Sequence, residues 1–134
     1  MTKANALANA LAELSAADDA LKVAEAALGL GIKRDAMSRT YYAAFHAARA
    51  LLLLEGLEPK THAGVLRMLS EHLIRSGKLE ARFGMALTRV QAYRQAADYS
   101  YSFDGSSEDV AHEIAEAREL IARARAAVST PARD

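Results

Sequence analysis

The chain has 134 residues, of which 31 are alanine, seven glycine and two proline, with no tryptophan and no cysteine. Alanine is the strongest helix former, so this composition argues against a β-sandwich or a parallel sheet and predicts one helical domain over residues 1–134. The 17 basic and 17 acidic residues balance, which argues against general DNA binding or a membrane-surface protein, and the lack of cysteine excludes disulfides and thiolate nucleophiles.

Five helices are predicted in chain order. The first carries apolar residues at steps of three or four, with Gly29 and Gly31 as C-terminal caps. Further helices are predicted over about 33–55, 62–76 and 79–102, and a capping-box-like Ser106 opens the last. The fold class is therefore all-α, an up-and-down antiparallel four-helix bundle with one additional short helix. The apolar positions of the first helix are Leu7, Leu11, Leu14, Ala17, Leu21, Ala24 and Leu28.

The second helix is apolar nearly all round, because His46 and Arg49 are its only polar side chains between residues 43 and 54. Such a helix lies in the interior of a protein. One interpretation of its polar face is ordinary packing, in which arginine stems and tyrosine rings are buried and their polar ends reach water. The other is a binding surface. One face carries Met37, Tyr41, Ala44, Ala48 and Leu52, and the opposite face carries Arg39, Tyr42, His46 and Arg49.

The fourth helix has an apolar stripe that continues, on the same face, into Arg94, Asp98 and Tyr101. Arg94 and Asp98 are four residues apart, a spacing that predicts an ion pair along the helix. A buried charge needs such a partner. The stripe is either a polar network that fixes the helix register or the lining of a cleft or a symmetric interface.

Other chemistry is not indicated. Thr61 is the predicted N-cap of the short helix, which accounts for Thr61 and the adjacent His62 without catalysis; His72 and His112 are expected on helix surfaces. Neither metal-ligand spacing, nor a serine nucleophile elbow, nor a phosphate-binding glycine loop is present, so we expect no metal and no cofactor. The sequence has no signal-peptide pattern and no long apolar run, which predicts a soluble cytoplasmic protein without membrane contact.

Three short sequence blocks follow one another between residues 38 and 99. They are Ser-Arg-Thr-Tyr-Tyr-Ala-Ala-Phe-His at 38–46, Lys-Thr-His at 60–62 and Arg-Gln-Ala-Ala-Asp-Tyr at 94–99. Together they resemble the HEPN superfamily, and within it a small, stand-alone bacterial and archaeal branch. The resemblance implies a four-helix core with an extra short helix, commonly a homodimer, and often a minimal nucleotidyltransferase encoded beside it.

Active members of that superfamily are metal-independent ribonucleases with an R-x4-6-H motif, in which histidine acts as general acid or base and arginine stabilises the phosphate. Some toxin members carry R-x4-H-x-Y, and the partner enzyme nucleotidylates the tyrosine. Here Arg94 matches the arginine, Tyr99 stands in the histidine position and Tyr101 matches the final tyrosine. A phenol with a pKa of about 10 is a poor substitute for an imidazole. The resemblance therefore implies a degenerate motif, unless His46 approaches Arg94.

The leading hypothesis is a homodimeric regulatory or binding component, paired with a minimal nucleotidyltransferase in a toxin–antitoxin-like system. One alternative is a metal-independent endoribonuclease that uses Arg94 and His46. Another is a nucleotide- or RNA-binding module whose arginines bind phosphate and whose tyrosines stack on a base, and a fourth is a purely structural bundle. Arg94 and His46 are the catalytic candidates, Tyr101 is the candidate for nucleotidylation, and the candidates for nucleotide or RNA binding are Arg39, Tyr42, Arg49, Asp98 and Tyr99.

Overall fold

Five α-helices build the protein in a computed structural model that describes residues 2–99 and 105–130, with only the backbone for 97–99. No strand occurs within these residues, which confirms the all-α class. The helix α3 continues directly into a π-helical segment, Leu69–Ile74. The helices are α1 (Lys3–Gly29), α2 (Lys33–Leu54), α3 (His62–Met68), α4 (Ala81–Tyr99) and α5 (Ser107–Ser129).

The turn between α1 and α2 is set by backbone conformation. Gly29 is the last residue of α1, and Gly31 takes a positive φ of 77°, a region that favours glycine because it has no Cβ. The amide of Ile32 then donates to the carbonyl of Ala27 at 2.9 Å. This short connection returns the chain along α1, so that α1 and α2 pack side by side.

The buried stripe of α1 differs from the predicted one at its N-terminal end. Leu7 and Leu11 were expected in the core, but they are 41% and 49% exposed. Ala6 and Ala10 take the buried positions instead, and the predicted stripe holds from Leu14 onward. Small side chains at a helix contact allow the two helix axes to come closer. The rotation of α1 about its own axis that turns Ala6 and Ala10 inward leaves Leu7 and Leu11 at the surface.

Helix α2 is the central element, as its composition predicts. It packs against α1, α4 and α5 and also touches α3. The face that carries Met37, Tyr41, Ala44, Ala48 and Leu52 is the inward one, because all five residues are buried. On the opposite face Tyr42, His46 and Arg49 are half-buried and Arg39 is exposed.

Helix ends follow the predicted capping in two places. The Thr61 side chain accepts a hydrogen bond from the Gly64 amide at 2.9 Å, and Ser106 with Asp109 forms a complete capping box. The helix predicted over 62–76 starts correctly but changes to π-helical geometry at Leu69. Helix α4 begins two residues late, because the amide of Leu79 is bonded to the carbonyl of Leu73 in the preceding turn.

One charged pair ties α4 to α5 inside the bundle. The carboxylate of Glu113 is only 3% exposed and accepts two hydrogen bonds from Arg89, at 2.8 and 3.0 Å. Such paired geometry offsets the cost of removing the charges from water. None of the helices in the described part of the chain combines the length and the apolar character needed to cross a membrane.

Candidate functional site

The site is centred on Arg94, where the apolar stripe of α4 reaches two tyrosines of α2. Its guanidinium carbon lies 4.7 Å from the ring centroid of Tyr41 and 5.0 Å from that of Tyr42. Its Nη2 donates to the hydroxyl of Tyr42 at 2.8 Å. Because Leu79, Phe83, Leu87 and Val90 are all buried, the predicted stripe is confirmed as far as Arg94. The aromatic faces attract the cation and fix its plane.

Arg94 keeps unused hydrogen-bonding capacity. Its Nε is buried and has no hydrogen-bond partner among the described residues, although a guanidinium carries five N–H donors in a fixed fork. A buried donor without a partner is costly, and such a group calls for a ligand or water. The side chains of Asp98 and Tyr99 and the whole of Tyr101 lie outside the described residues, so the predicted Arg94–Asp98 ion pair stays a prediction.

His62 also belongs to this site, although the sequence pattern indicated only a helix cap at Thr61 beside it. Thr61 supplies the cap of α3, and the imidazole of His62, the first residue of that helix, turns back onto α2. Its ring centroid lies 5.3 Å from that of Tyr41 and 4.7 Å from that of Phe45. Its Nδ1 is hydrogen-bonded to the Tyr41 hydroxyl. Tyr41 therefore connects the guanidinium of Arg94 to the imidazole of His62.

The electrostatic environment keeps both of these partners uncharged. Burial lowers the pKa of His62 below its usual value, and the positive charges of Arg94, Arg49 and His46 lower it further, in that order. Burial raises the pKa of the Tyr41 hydroxyl, against a smaller opposite effect of Arg94. At neutral pH the imidazole of His62 is therefore uncharged.

His46 is held by α1. Its Nδ1 lies 2.6 Å from Oε2 of Glu13, while Oε1 of the same carboxylate accepts from Nε of Arg49 at 3.1 Å. Arg49 also donates to the carbonyl of Pro59 at 2.6 Å, which fixes the segment leading to His62. The structure thus places His46 on Glu13, whereas Arg94 donates a hydrogen bond to Tyr42. No residue pattern in the sequence had singled out Glu13.

The remaining candidates extend the site along α2. Arg39, Tyr42 and His46 border one open depression of about 340 Å³ beside α1. Arg49 borders another of about 280 Å³, together with Glu13 and Lys60. The basic and aromatic face of α2 is therefore brought together at the surface, in two neighbouring parts. Within residues 2–99 and 105–130, no three histidine or acidic side chains are grouped as metal ligands would be.

Comparison with known proteins gives consistent matches. The family model of the HEPN domain matches residues 11–127. A candidate toxin of Methanocaldococcus jannaschii is 39% identical over 84 residues, which cover 63% of this chain and 63% of that protein. A UPF0332 protein of Pyrococcus horikoshii is 47% identical over 62 residues, or 46% of this chain and 44% of that protein. A second candidate toxin of M. jannaschii is 35% identical over 74 residues, which cover 55% and 50%. The chain therefore spans about half to just under two thirds of these relatives.

Proposed function

Since this chain belongs to the HEPN family, we propose that it is a toxin-like HEPN protein that binds a phosphate group of RNA or of a nucleotide at Arg94. The two relatives named as candidate toxins support the toxin-like class. The choice of ligand rests on the state of one side chain in the site, the guanidinium of Arg94.

Two arginines of α4 show why Arg94 carries the proposal. Arg89 has its charge neutralised by two hydrogen bonds to the buried carboxylate of Glu113. Arg94 contacts a neutral hydroxyl and two aromatic rings, and its buried Nε has no hydrogen-bond partner among the described residues. A rigidly held guanidinium with unused donors suits the planar, bidentate recognition of a phosphate.

The surroundings fit an RNA strand better than an isolated anion. Tyr42 is half-buried and offers part of a ring for stacking on a base. Arg39 and His46 lie beside it, and Arg49 and Lys60 follow along the same side of the bundle. The carboxylate of Glu13 pairs with both His46 and Arg49, so Arg39 and Lys60 supply the positive charge that a phosphate backbone requires along this path. The neutral total charge limits this surface to a short stretch of nucleic acid.

We also propose a homodimer and a pairing with a minimal nucleotidyltransferase, as the family resemblance implies. Large apolar side chains that stay exposed near α1 support a protein interface: Leu7, Leu11, Val23, Leu30 and Ile32. Light scattering of the purified chain should give twice the monomer mass. Intact-mass measurement after co-expression with such an enzyme should show an added nucleotide, which is lost in Tyr101→Phe. A monomer would refute the dimer, and an unchanged mass would refute Tyr101 as the acceptor.

The binding experiment uses fluorescence anisotropy with a short, labelled single-stranded RNA of mixed sequence. Arg94→Ala should weaken binding about tenfold or more, because a hydrogen bond between charged groups is worth roughly 1.5–3 kcal/mol. The control is Arg118→Ala, which removes one positive charge from an exposed pair with Glu25 on the bundle surface. Binding should also weaken as salt rises. Equal binding by the Arg94 variant and the wild type would overturn the proposal.

A further inference from the structure

One depression beside Tyr42 has the size and the lining of a base pocket. It has a volume of about 620 Å³ and lies between the C-terminal end of α1 and the N-terminal half of α2. Sites for small ligands typically measure about 300–1,000 Å³ and are mostly apolar, with a few polar groups. Here Ala26, Ala27 and the ring of Tyr42 give the apolar lining. We propose that this depression binds a guanine base, which Asp35 and Ser38 of α2 recognise.

This inference rests on the proposed function, since a phosphate at Arg94 brings the attached nucleotide to Tyr42. The Tyr42 hydroxyl accepts from Nη2 of Arg94 at 2.8 Å, and the same side chain borders the depression. Asp35, Ser38 and Tyr42 are separated by steps of three and four residues, so they lie on one face of α2. Tyr42 therefore lies between the phosphate-binding guanidinium and two polar groups that come one and two turns earlier.

Both of these polar groups are available to a ligand. Asp35 is exposed, and Arg39 follows it at a spacing that favours an ion pair, yet in the described part of the chain neither side chain has a partner. The Thr40 hydroxyl donates to the carbonyl four residues earlier at 2.7 Å. The half-buried Ser38 hydroxyl makes no such bond within residues 2–99 and 105–130. Arg39 thus stays available to the phosphate backbone, and Asp35 and Ser38 to a base.

Guanine matches these two groups because of the order of its polar atoms. Its N1–H and N2–H donors are adjacent, and its O6 acceptor follows them on the same edge. The carboxylate of Asp35 has two acceptor oxygens and can take both donors, while the hydroxyl of Ser38 can donate to O6. Adenine, cytosine and uracil each have only one donor group on that edge. Guanine is therefore the base that can satisfy both oxygens of Asp35.

The test is fluorescence anisotropy of the full chain with labelled short RNAs. One RNA contains only adenine, and in two others the central adenine is replaced by guanine or by inosine, which is guanosine without the N2 amino group. Leu30 and Ile32 border the depression and also belong to the exposed apolar surface that supports a homodimer. Every titration therefore uses the same chain concentration, so that the oligomeric state does not differ between RNAs.

The wild type should bind the guanine RNA about tenfold or more tightly than the adenine RNA, with the inosine RNA in between. In Asp35→Asn one acceptor oxygen becomes a donor that faces a donor of guanine, so the difference between guanine and adenine should disappear. Ser38→Ala should weaken guanine and inosine binding alike, by about threefold or more. The matched control is Asp19→Asn, at a carboxylate in the neighbouring depression that also borders Tyr42, and it should keep the preference.

The outcomes separate this inference from the proposed function. Equal binding of guanine and adenine RNA by the wild type would overturn the inference and leave the proposed function standing. So would a guanine preference that survives Asp35→Asn or is lost in Asp19→Asn. Arg94→Ala should weaken binding of all these RNAs by the same factor, because it removes the phosphate contact. A wild type that binds no RNA, or binding that Arg94→Ala leaves unchanged, would instead overturn the proposed function.

Discussion

Arg94→Met separates a binding role of this arginine from a structural one. The long, unbranched methionine side chain can follow the arginine stem between Tyr41 and Tyr42 while the charge and the donors are removed. Arg89→Met makes the same chemical change five residues earlier on α4, where the guanidinium pairs with the buried carboxylate of Glu113. The two variants should affect stability and binding in opposite ways.

The magnitudes follow from the contacts. At Arg94 two cation–π contacts, about 0.5–1 kcal/mol each, and one hydrogen bond of about 1 kcal/mol are lost. The buried, unpartnered Nε, which costs about 1–3 kcal/mol, is removed as well, and a sulfur–aromatic contact of about 0.3–1.5 kcal/mol is gained. At the middle of these ranges the losses and gains nearly cancel, so the free energy of unfolding should change by about 1 kcal/mol or less. At Arg89 the substitution strands the carboxylate of Glu113, which should cost about 3 kcal/mol.

Urea unfolding, thermal unfolding and RNA anisotropy on the two variants provide the measurement. Arg94→Met should unfold near the wild-type midpoint yet lose at least about tenfold in affinity. Arg89→Met should lower Tm by about 10 °C and keep its affinity where it is folded. Equal destabilisation by the two substitutions would show that Arg94 serves the fold. Undiminished affinity of Arg94→Met would show that the phosphate binds elsewhere.

Three further outcomes are expected. The pKa of His62 is lowered in the folded protein. The contribution of His62 to the unfolding free energy is therefore full above about pH 6.5 and is lost as pH falls towards the folded pKa. Urea midpoints of His62→Asn should lack that loss. Thr61→Ala removes the N-cap of α3 and should lower the free energy of unfolding by about 1 kcal/mol, measured by urea unfolding. Gly31→Ala should destabilise by about 1 kcal/mol and Gly31→Asn by less, measured by thermal unfolding, because only the positive φ opposes a side chain there. A difference between the wild type and His62→Asn that does not change with pH would contradict the first expectation. An unchanged urea midpoint of Thr61→Ala would contradict the second, and equal effects of the two Gly31 substitutions would contradict the third.

Local rules made much of the fold predictable. The N-cap at Thr61 and the capping box at Ser106 depend on residues three apart, so the sequence contains all the participants. The inward face of α2 follows from helical periodicity alone. The stripe of α4 up to Arg94 was predictable for the same reason.

The departures depend on what one helix meets on another. Whether Ala6 or Leu7 faces inward is decided by how closely α1 approaches α2, and the periodicity of α1 fits both. Gly77, with a positive φ of 79°, marks the turn after the π-helical segment, but it predicts neither the change of helical geometry at Leu69 nor the hydrogen bond between Leu79 and Leu73. Single-helix patterns carry no information on such packing.

The candidate site shows the same division. Arg94 and the polar face of α2 each stood out within one helix, but the partners Glu13 and His62 come from α1 and α3. A capping residue next to His62 offered a sufficient explanation for both, and capping does hold for Thr61. It leaves the imidazole of His62 free for another contact, since a cap uses the backbone of the residues that follow it.

Alanine links the fold to the chemistry of the site. Six alanines of α2 are buried, so the neighbouring helices can lie close to its backbone. Longer side chains from those neighbours then meet the tyrosines and the histidine of α2 directly: Glu13 from α1 reaches His46, and Arg94 from α4 reaches Tyr42. His46 and Tyr42 of α2 therefore have their polar partners on two different helices, α1 and α4. Loosening α1 would remove the partner of His46, whereas loosening α4 would displace Arg94 from Tyr42, so these two contacts of α2 can be lost independently.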